Sequence, residues 1–191
     1  LSEESLIVVI TAPSGSGKTT ICRKLGERRP DLNFSVSHTT RPIREGEKDG
    51  VDYHFVSFQE FRSKVDGDDF VEWAEVHGEL KGTTREALLL CRAGTRICML
   101  DLDVQGAFSM MEKYPEAVTI FIEPPSLEEL EKRLRERGTE NPEKIEVRLR
   151  NAAKELEHKN RFQYIVVNDL VERSVREIEG ILDQELARRS R

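Results

Sequence analysis

Long apolar runs are missing from this chain. No stretch approaches the ~18 residues that a membrane-spanning helix needs, and the opening lacks the basic-then-apolar pattern of a secretory signal. No membrane partner is expected. The first residue is not Met, which reads as a trimmed or processed start. Cysteine is scarce as well. The three, Cys22, Cys91 and Cys98, are odd in number and irregular in spacing, and suggest neither a disulfide frame nor a CxxC metal site. Reduced thiols in a cytoplasmic protein are expected. There is no basic surplus: 30 Lys and Arg face 36 Asp and Glu, for a net charge of -6. That balance argues against a nucleic-acid partner. Small anions remain possible ligands, because they respond to local clusters of Arg and Lys. Repeats and low-complexity linkers are also lacking.

What is present is a charged but globular balance. Charged residues make up 35% and apolar residues 37% of the chain, and the apolar ones gather in periodic segments. At 191 residues the chain can bury a sizeable core in one domain with inserted subdomains. The run "LIVVITA", residues 6–12, has strand length. Its β-branched content suits a strand buried on both faces of a parallel sheet. Residues 95–103, 117–125 and 163–169 read as further buried strands. Helical patterns occupy 18–28, 84–93, 104–113 and 127–137. In 170–186, Val171, Val175, Ile178 and Leu182 fall on one helical face. Strands alternating with helices predict an α/β fold with a mostly parallel sheet. Two stretches break the rhythm. Residues 35–82, rich in Gly, His, Thr and aromatics, read as an inserted lobe. Residues 128–160 carry dense alternating charge, which reads as solvated helices with (i, i+4) ion pairs.

The stretch "TAPSGSGKTT" lies between the first strand and the first helix. The phosphate-loop pattern G-x-x-x-x-G-K-[ST] is met by Ala12, Pro13, Ser14, Gly15, Ser16, Gly17, Lys18 and Thr19, with Ala12 where the first Gly is expected. Gly15 and Gly17 let the backbone curl so that successive N–H groups face phosphate oxygens, and the helix adds its positive end. Lys18 is the candidate to neutralise the β- and γ-phosphates. Thr19 is the candidate hydroxyl ligand of Mg²⁺, and Thr20 extends the set for ATP. Asp101, closing a strand, is a candidate to hold the metal through water.

A phosphate loop identifies the donor and leaves the acceptor open. In "SVSHTTRPIREGEKDGVDYHFVS", Arg41 and Arg44 flank a proline that restricts the loop. The guanidinium fork matches phosphate oxygens bidentately, and Tyr53 can add a hydroxyl; surface charge is the alternative. Glu72, in "FVEWAEV", points opposite to Val71 and Trp73 in a strand, so it faces either solvent or a cleft. His38, His54 and His77 show no metal spacing and read as ordinary hydrogen-bonding residues, and Trp73 reads as packing.

Taken together, "APSGSGKTT", "SVSHTTRPIREGEKDGVDYHFV", "FVEWAEVHG", "LDLDVQGA", "RLRERGTE" and "VVND" resemble the guanylate kinase family, which phosphorylates GMP with ATP. The resemblance runs from about residue 6 to the final helix. It implies a P-loop nucleoside-monophosphate-kinase-like fold: a parallel-sheet core flanked by helices (1–36, 94–127 and 161–191), an inserted GMP-binding lobe (37–93) and a helical lid (128–160). It also implies a GMP pocket of Ser37, Arg41, Arg44, Glu47, Tyr53, Glu72, Thr83 and Asp103. Arg41, Arg44 and Tyr53 would take the 5′-phosphate. Glu72 would accept from guanine N1–H and the 2-amino group, with Ser37 and Thr83 near the base. Arg137 and Arg148 resemble the lid arginines that close on the transferring phosphate. Together with Lys18 and Arg41 they make up the expected catalytic set. Asn168 would help frame the adenine of ATP.

One departure stands out. The family usually carries two tyrosines before Gly-Thr, the second a phosphate ligand. This chain has "ELKGT", with Lys81 in that place. Lys81 is expected to bind the GMP phosphate by charge; a drifted loop with weaker affinity is the alternative. Three other readings stay open at this point: an inactive binding module on the same fold, a kinase for another nucleoside monophosphate, and nucleic-acid binding.

Overall fold

β1 (Leu6–Thr11) is buried at every residue, as an aliphatic strand covered on both faces must be. In the computed structural model, residues 5–76, 78–136 and 142–189 are described. Arg137 and His77 fall outside them. After β1 come α1 (Lys18–Arg28), β2 (Leu32–Phe34), β3 (His38–Thr39), β4 (His54–Phe55), α2 (Phe58–Asp66), β5 (Phe70–Val76) and β6 (Glu79–Thr84). Next are α3 (Arg85–Arg92), β7 (Ile97–Asp101), α4 (Val104–Lys113) and β8 (Val118–Glu123). The chain continues through α5 (Leu127–Glu136), α6 (Pro142–Glu157), β9 (Tyr164–Val167) and α7 (Val171–Arg189). One sheet has the strand order β2-β7-β1-β8-β9 and a second β4-β3-β6-β5. The β2·β7 and β8·β9 ladders are parallel, so the fold is α/β as expected. Contacts divide the chain into two compact units, the division falling within β1. One gathers the chain up to Val8 with Asp31–Ala117, the other Val9–Pro30 with the chain from Val118 onward.

In the first unit β5 and β6 pair antiparallel, with a bulge between Phe70 and Glu72. The face of this hairpin that meets α2 buries Phe61, Phe70 and Leu80, and the Phe61 and Phe70 rings stack at 4.4 Å. α2 starts at a capping box: Glu60 N–H donates to Ser57 Oγ, and Ser57 N–H to the Glu60 carboxylate. Such a box fixes two amides that a helix start would leave unpaired. α4 is capped by Asp103, whose Oδ1 accepts from Gln105 N–H at 2.9 Å and Gly106 N–H at 3.0 Å.

In the second unit Leu130, Leu134, Ile145 and Ala152 form the apolar seam between α5 and α6. The exposed Arg135–Glu131 pair fits the solvated reading of that charge, whereas Arg133, paired with Glu129, is part-buried and also donates to Asn168 O. α1 and α7 are joined by Arg28–Glu172 and Arg29–Asp183 pairs. Among the described residues no helix is long and apolar enough to cross a membrane.

Helices expected over 18–28 and 104–113 form with those bounds. Four elements were not anticipated, among them the two-residue β3. α2 announces itself only by Ser57-x-x-Glu60, β2 is three residues long, and β6 contains the unstrandlike Lys81-Gly82 pair. The cysteine expectation is corrected. Cys91 on α3 and Cys98 on β7 form a disulfide, with Cα atoms 5.4 Å apart, while Cys22 is buried outside it. Spacing alone does not reveal the pair, because it depends on α3 folding back against β7. Closing so short a loop restricts the unfolded chain by on the order of 2 kcal/mol. Reduction is therefore expected to lower the urea midpoint of the parent and to leave that of Cys98→Ser unchanged. An identical midpoint for oxidised and reduced parent would remove the cross-link from the account of stability.

Candidate active site

The second unit holds the phosphate loop. Gly17 stands at the N-cap of α1 with φ of 90° and no side-chain cap, a left-handed conformation that favours glycine. A helix start without a side-chain cap is a setting that suits an anion. Ser16 N–H donates to Pro13 O at 3.1 Å, closing the turn. Thr19 is exposed and Lys18 half-buried at the start of the helix. Arg148, from α6, donates to Ser14 Oγ at 2.9 Å, so one of the two expected lid arginines reaches the loop. Asn168, just beyond β9, is buried and donates from Nδ2 to Ser16 O at 2.6 Å. A cavity of about 340 Å³ is lined by Gly15, Gly17, Arg133, Glu136, Asn168 and Val171. It is an open hollow beside the loop.

In the first unit β5, β6 and the start of α4 surround the Glu72 carboxylate. Glu72 is only 3% exposed. The bulge before it interrupts the alternation of β5, so that Val71 and Glu72 are both buried while Trp73 turns outward. The bulge thus decides for the cleft. Thr83 hydrogen-bonds the carboxylate, but Oε1 has no hydrogen-bond partner among the described residues. Burial pushes the Glu72 carboxyl up to about 7; Thr83 and Lys81 oppose the shift and Asp103 adds to it. Gly106 makes room for this carboxylate, since a Cβ there would lie 2.5 Å from Glu72 Oε2. Ser37 Oγ and Thr83 Oγ1 sit 3.1 Å apart, both buried. Buried side-chain oxygens are thus gathered around Glu72, and adjacent N–H donors would satisfy its carboxylate.

A cationic group adjoins it. Lys81, half-buried, donates from Nζ to Asp101 O at 3.1 Å and lies 5.1 Å from the Tyr53 ring centroid. Burial opposes its charge, yet Tyr53, Asp101 and Asp103 outweigh burial and raise its pKa. Arg41 lies over Tyr53 and Phe55 at 5.3 and 5.5 Å. Its guanidinium grips Glu47 bidentately at 2.7 and 2.9 Å. The Arg41 hydrogen bond holds the Glu47 carboxyl below the usual range. Glu47 also accepts from Arg44 N–H at 2.8 Å, so it orders the whole Arg41–Arg44 turn. His38 and His54 pack with ring centroids 4.6 Å apart. Burial, with His54 and Lys64, holds the His38 pKa down to about 4. Among the described residues no group of three His, Cys, Asp or Glu could hold a metal.

Within the first unit, Ser37, Arg41, Glu47, Tyr53, Glu72, Lys81, Thr83, Asp101 and Asp103 are thus linked by contacts or electrostatic coupling. Arg44 is exposed and joins through its backbone. Arg137 lies outside the described residues. Gly106 and Ser174, a buried hydroxyl beside Asn168, were not singled out in the sequence. A glycine three residues into α4, where alanine is the better helix former, is a legible sign of close approach. Ser174 leaves no such sign.

The loop and the α/β core define a P-loop kinase. In fold alone the chain is similar to the shikimate kinase of Bacteroides thetaiotaomicron (14% identity, TM-score 0.50, covering 93% of this chain and 98% of the other). More narrowly, the family model described as guanylate kinase matches residues 4–185, and the chain belongs to that family. The guanylate kinase of Caldanaerobacter subterraneus subsp. tengcongensis is 43% identical over 188 residues, covering 98% of this chain and 91% of its own. That of Myxococcus xanthus is 44% identical over 187 residues, covering 97% and 90%. The crystal structure of guanylate kinase from Anaplasma phagocytophilum matches with a TM-score of 0.80 at 36% identity, covering 96% of this chain and 87% of that one.

Glu72 should leave a signature on stability. Its carboxyl has an ordinary value of 4.5 and rises to about 7 in the folded chain. Between those values the folded state holds more protons than the unfolded one, so stability falls as pH rises through that window. The cost above pH 7 is on the order of 3 kcal/mol. Glu72→Gln is expected to raise the urea unfolding free energy at pH 8 by ~1–3 kcal/mol, with the gain fading towards pH 4.5. A gain of equal size at both pH values would show that ionised Glu72 is not its cause.

Proposed function

We propose that this chain transfers the γ-phosphoryl group of ATP to GMP, giving ADP and GDP, with Mg²⁺. Membership of the guanylate kinase family supports the reaction. The observation that carries the acceptor is the buried Glu72 carboxylate, whose Oε1 has no hydrogen-bond partner among the described residues. Guanine N1–H and its 2-amino group supply two adjacent donors to such an oxygen pair, and adenine presents a lone pair instead. A site left with a buried unpaired acceptor rejects the wrong base by up to ~10⁴-fold.

In this reading Lys81, Arg41, Arg44 and Tyr53 hold the 5′-phosphate, and Glu47 keeps Arg41 facing it. The ammonium of Lys81 replaces a phenolic hydroxyl by a charge, a strong contact that salt weakens. The loop from Ala12 to Thr20 holds the triphosphate, and Arg148 and Arg137 gather charge on the transferring group. Transfer of this kind needs alignment and neutralisation more than covalent help. A phosphate oxygen of GMP is already a nucleophile, so no general base is required. A hydroxyl from Thr19 and a carboxylate from Asp101 are hard oxygen donors, the chemistry that suits Mg²⁺ held mainly by substrate phosphates and water. The metal, when bound, lowers the charge repulsion between nucleophile and triphosphate. The setting that goes with these substrates is the cytoplasm.

The test is a coupled assay of ADP release with GMP, dGMP, AMP, CMP and UMP as acceptors. Rapid turnover with guanine nucleotides and at least ~10³-fold less with AMP is expected. Equal turnover with AMP would overturn the assignment of Glu72. Absence of turnover with every acceptor, in a folded chain that binds ATP, would favour a silent binding module. Lys81→Ala is expected to raise the GMP KM by ~10-fold while leaving the ATP KM in place, and to flatten its salt dependence. A GMP KM equal to the parent's would remove Lys81 from the phosphate site.

A further inference from the structure

Asn168 lines the open hollow, and its side-chain amide is tied to the phosphate loop. Nδ2 donates to Ser16 O at 2.6 Å, and Oδ1 lies 3.2 Å from the hydroxyl of Ser174 on α7. Both backbone groups are engaged as well: Asn168 N–H donates to Glu123 O at 2.8 Å, and its carbonyl accepts from Arg133 Nη2 at 3.1 Å. The residue is therefore held by β8, α5 and α7 together before its side chain reaches the loop. The orientation of the amide follows from its neighbours, since only Nδ2 can donate to a carbonyl and only Oδ1 can accept a hydroxyl proton.

What the amide grips matters. Ser16 C=O and Gly17 N–H belong to one planar peptide unit. In a trans unit the two point in opposite directions, and no cis bond occurs among the described residues. Fixing the carbonyl towards Asn168 therefore turns the Gly17 N–H the opposite way, away from Asn168. Gly17 is also required by the amide itself, because a Cβ there would lie 2.3 Å from Asn168 Nδ2.

We infer that Asn168, set by Ser174, is a positioning residue that orients the Ser16–Gly17 peptide so that its N–H faces the polyphosphate. The inference rests on the reading of residues 12–20 as a triphosphate site, and it assigns Asn168 to the phosphates rather than to the adenine.

The probe that separates the two is inorganic tripolyphosphate, which has phosphates and no base. Calorimetric titration of tripolyphosphate and of ATP into the parent, Asn168→Ala and Ser174→Ala is paired with initial-rate KM values for ATP and GMP. Asn168→Ala is expected to lose ~10-fold in affinity for both ligands by the same factor, with the GMP KM unchanged. Ser174→Ala, which keeps the amide but removes its orienting donor, is expected to lose ~3-fold for both. It also stands in should Asn168→Ala fail to fold. A loss for ATP with tripolyphosphate untouched would return Asn168 to the adenine and overturn the inference. So would unchanged affinities, or a parallel rise of the GMP KM that marks a general structural lesion. A parent that does not bind tripolyphosphate at all would instead overturn the triphosphate reading itself, and the inference with it.

Discussion

Burying a carboxylate without its full complement of donors is costly, and much of the first unit can be understood as the arrangement that keeps Glu72 in that condition. The β5 bulge turns it inward. Gly106 withholds a side chain that would displace it, and Asp103 caps α4 while adding negative charge nearby. Thr83 supplies one hydrogen bond and shares its hydroxyl contact with Ser37. The disulfide anchors the helix that follows Thr83 to the strand that leads to Asp101 and Asp103. A locally unfavourable acid of this sort persists only where the surrounding framework over-determines its position. The ligand that supplies the missing donors recovers the cost, which is the physical origin of selectivity at such a site.

In the proposed function the two units would hold anions by different means. The loop of the second unit would use oriented backbone, a helix end and glycines. The first unit would use side-chain charge, which partners within the protein hold in place. Glu47 occupies part of the Arg41 fork, Tyr53 lies beneath both cations, and Asp101 O accepts from Lys81. An ordered cation loses less entropy on binding than a mobile one. At Lys81, where the family resemblance implies a tyrosine, the chain carries a half-buried ammonium.

Much of this was legible in the order of residues. The buried strands, α1, α4 and α7 follow from periodicity, and the loop follows from glycine spacing with a strand before it and a helix behind. The stretch 35–82 stood out as a break in rhythm, although α2 and β6 inside it did not, because their apolar positions are too few to set a period. Glu72 and Arg41 could be singled out by type and context. Whether Glu72 faced solvent or a cleft could not, since one bulge reverses the answer.

Local physics therefore settled the elements of the α/β core and the phosphate loop, because each depends on backbone preferences and on apolar spacing within a few residues. The tertiary structure decided what depends on distant partners. It joined Cys91 to Cys98, raised the Glu72 carboxyl by burial, engaged Arg41 with Glu47, and clasped the Asn168 amide on the Ser16 carbonyl. In each of these the energy comes from desolvation or from a donor–acceptor pair. Neither exists until segments far apart in the chain exclude water together.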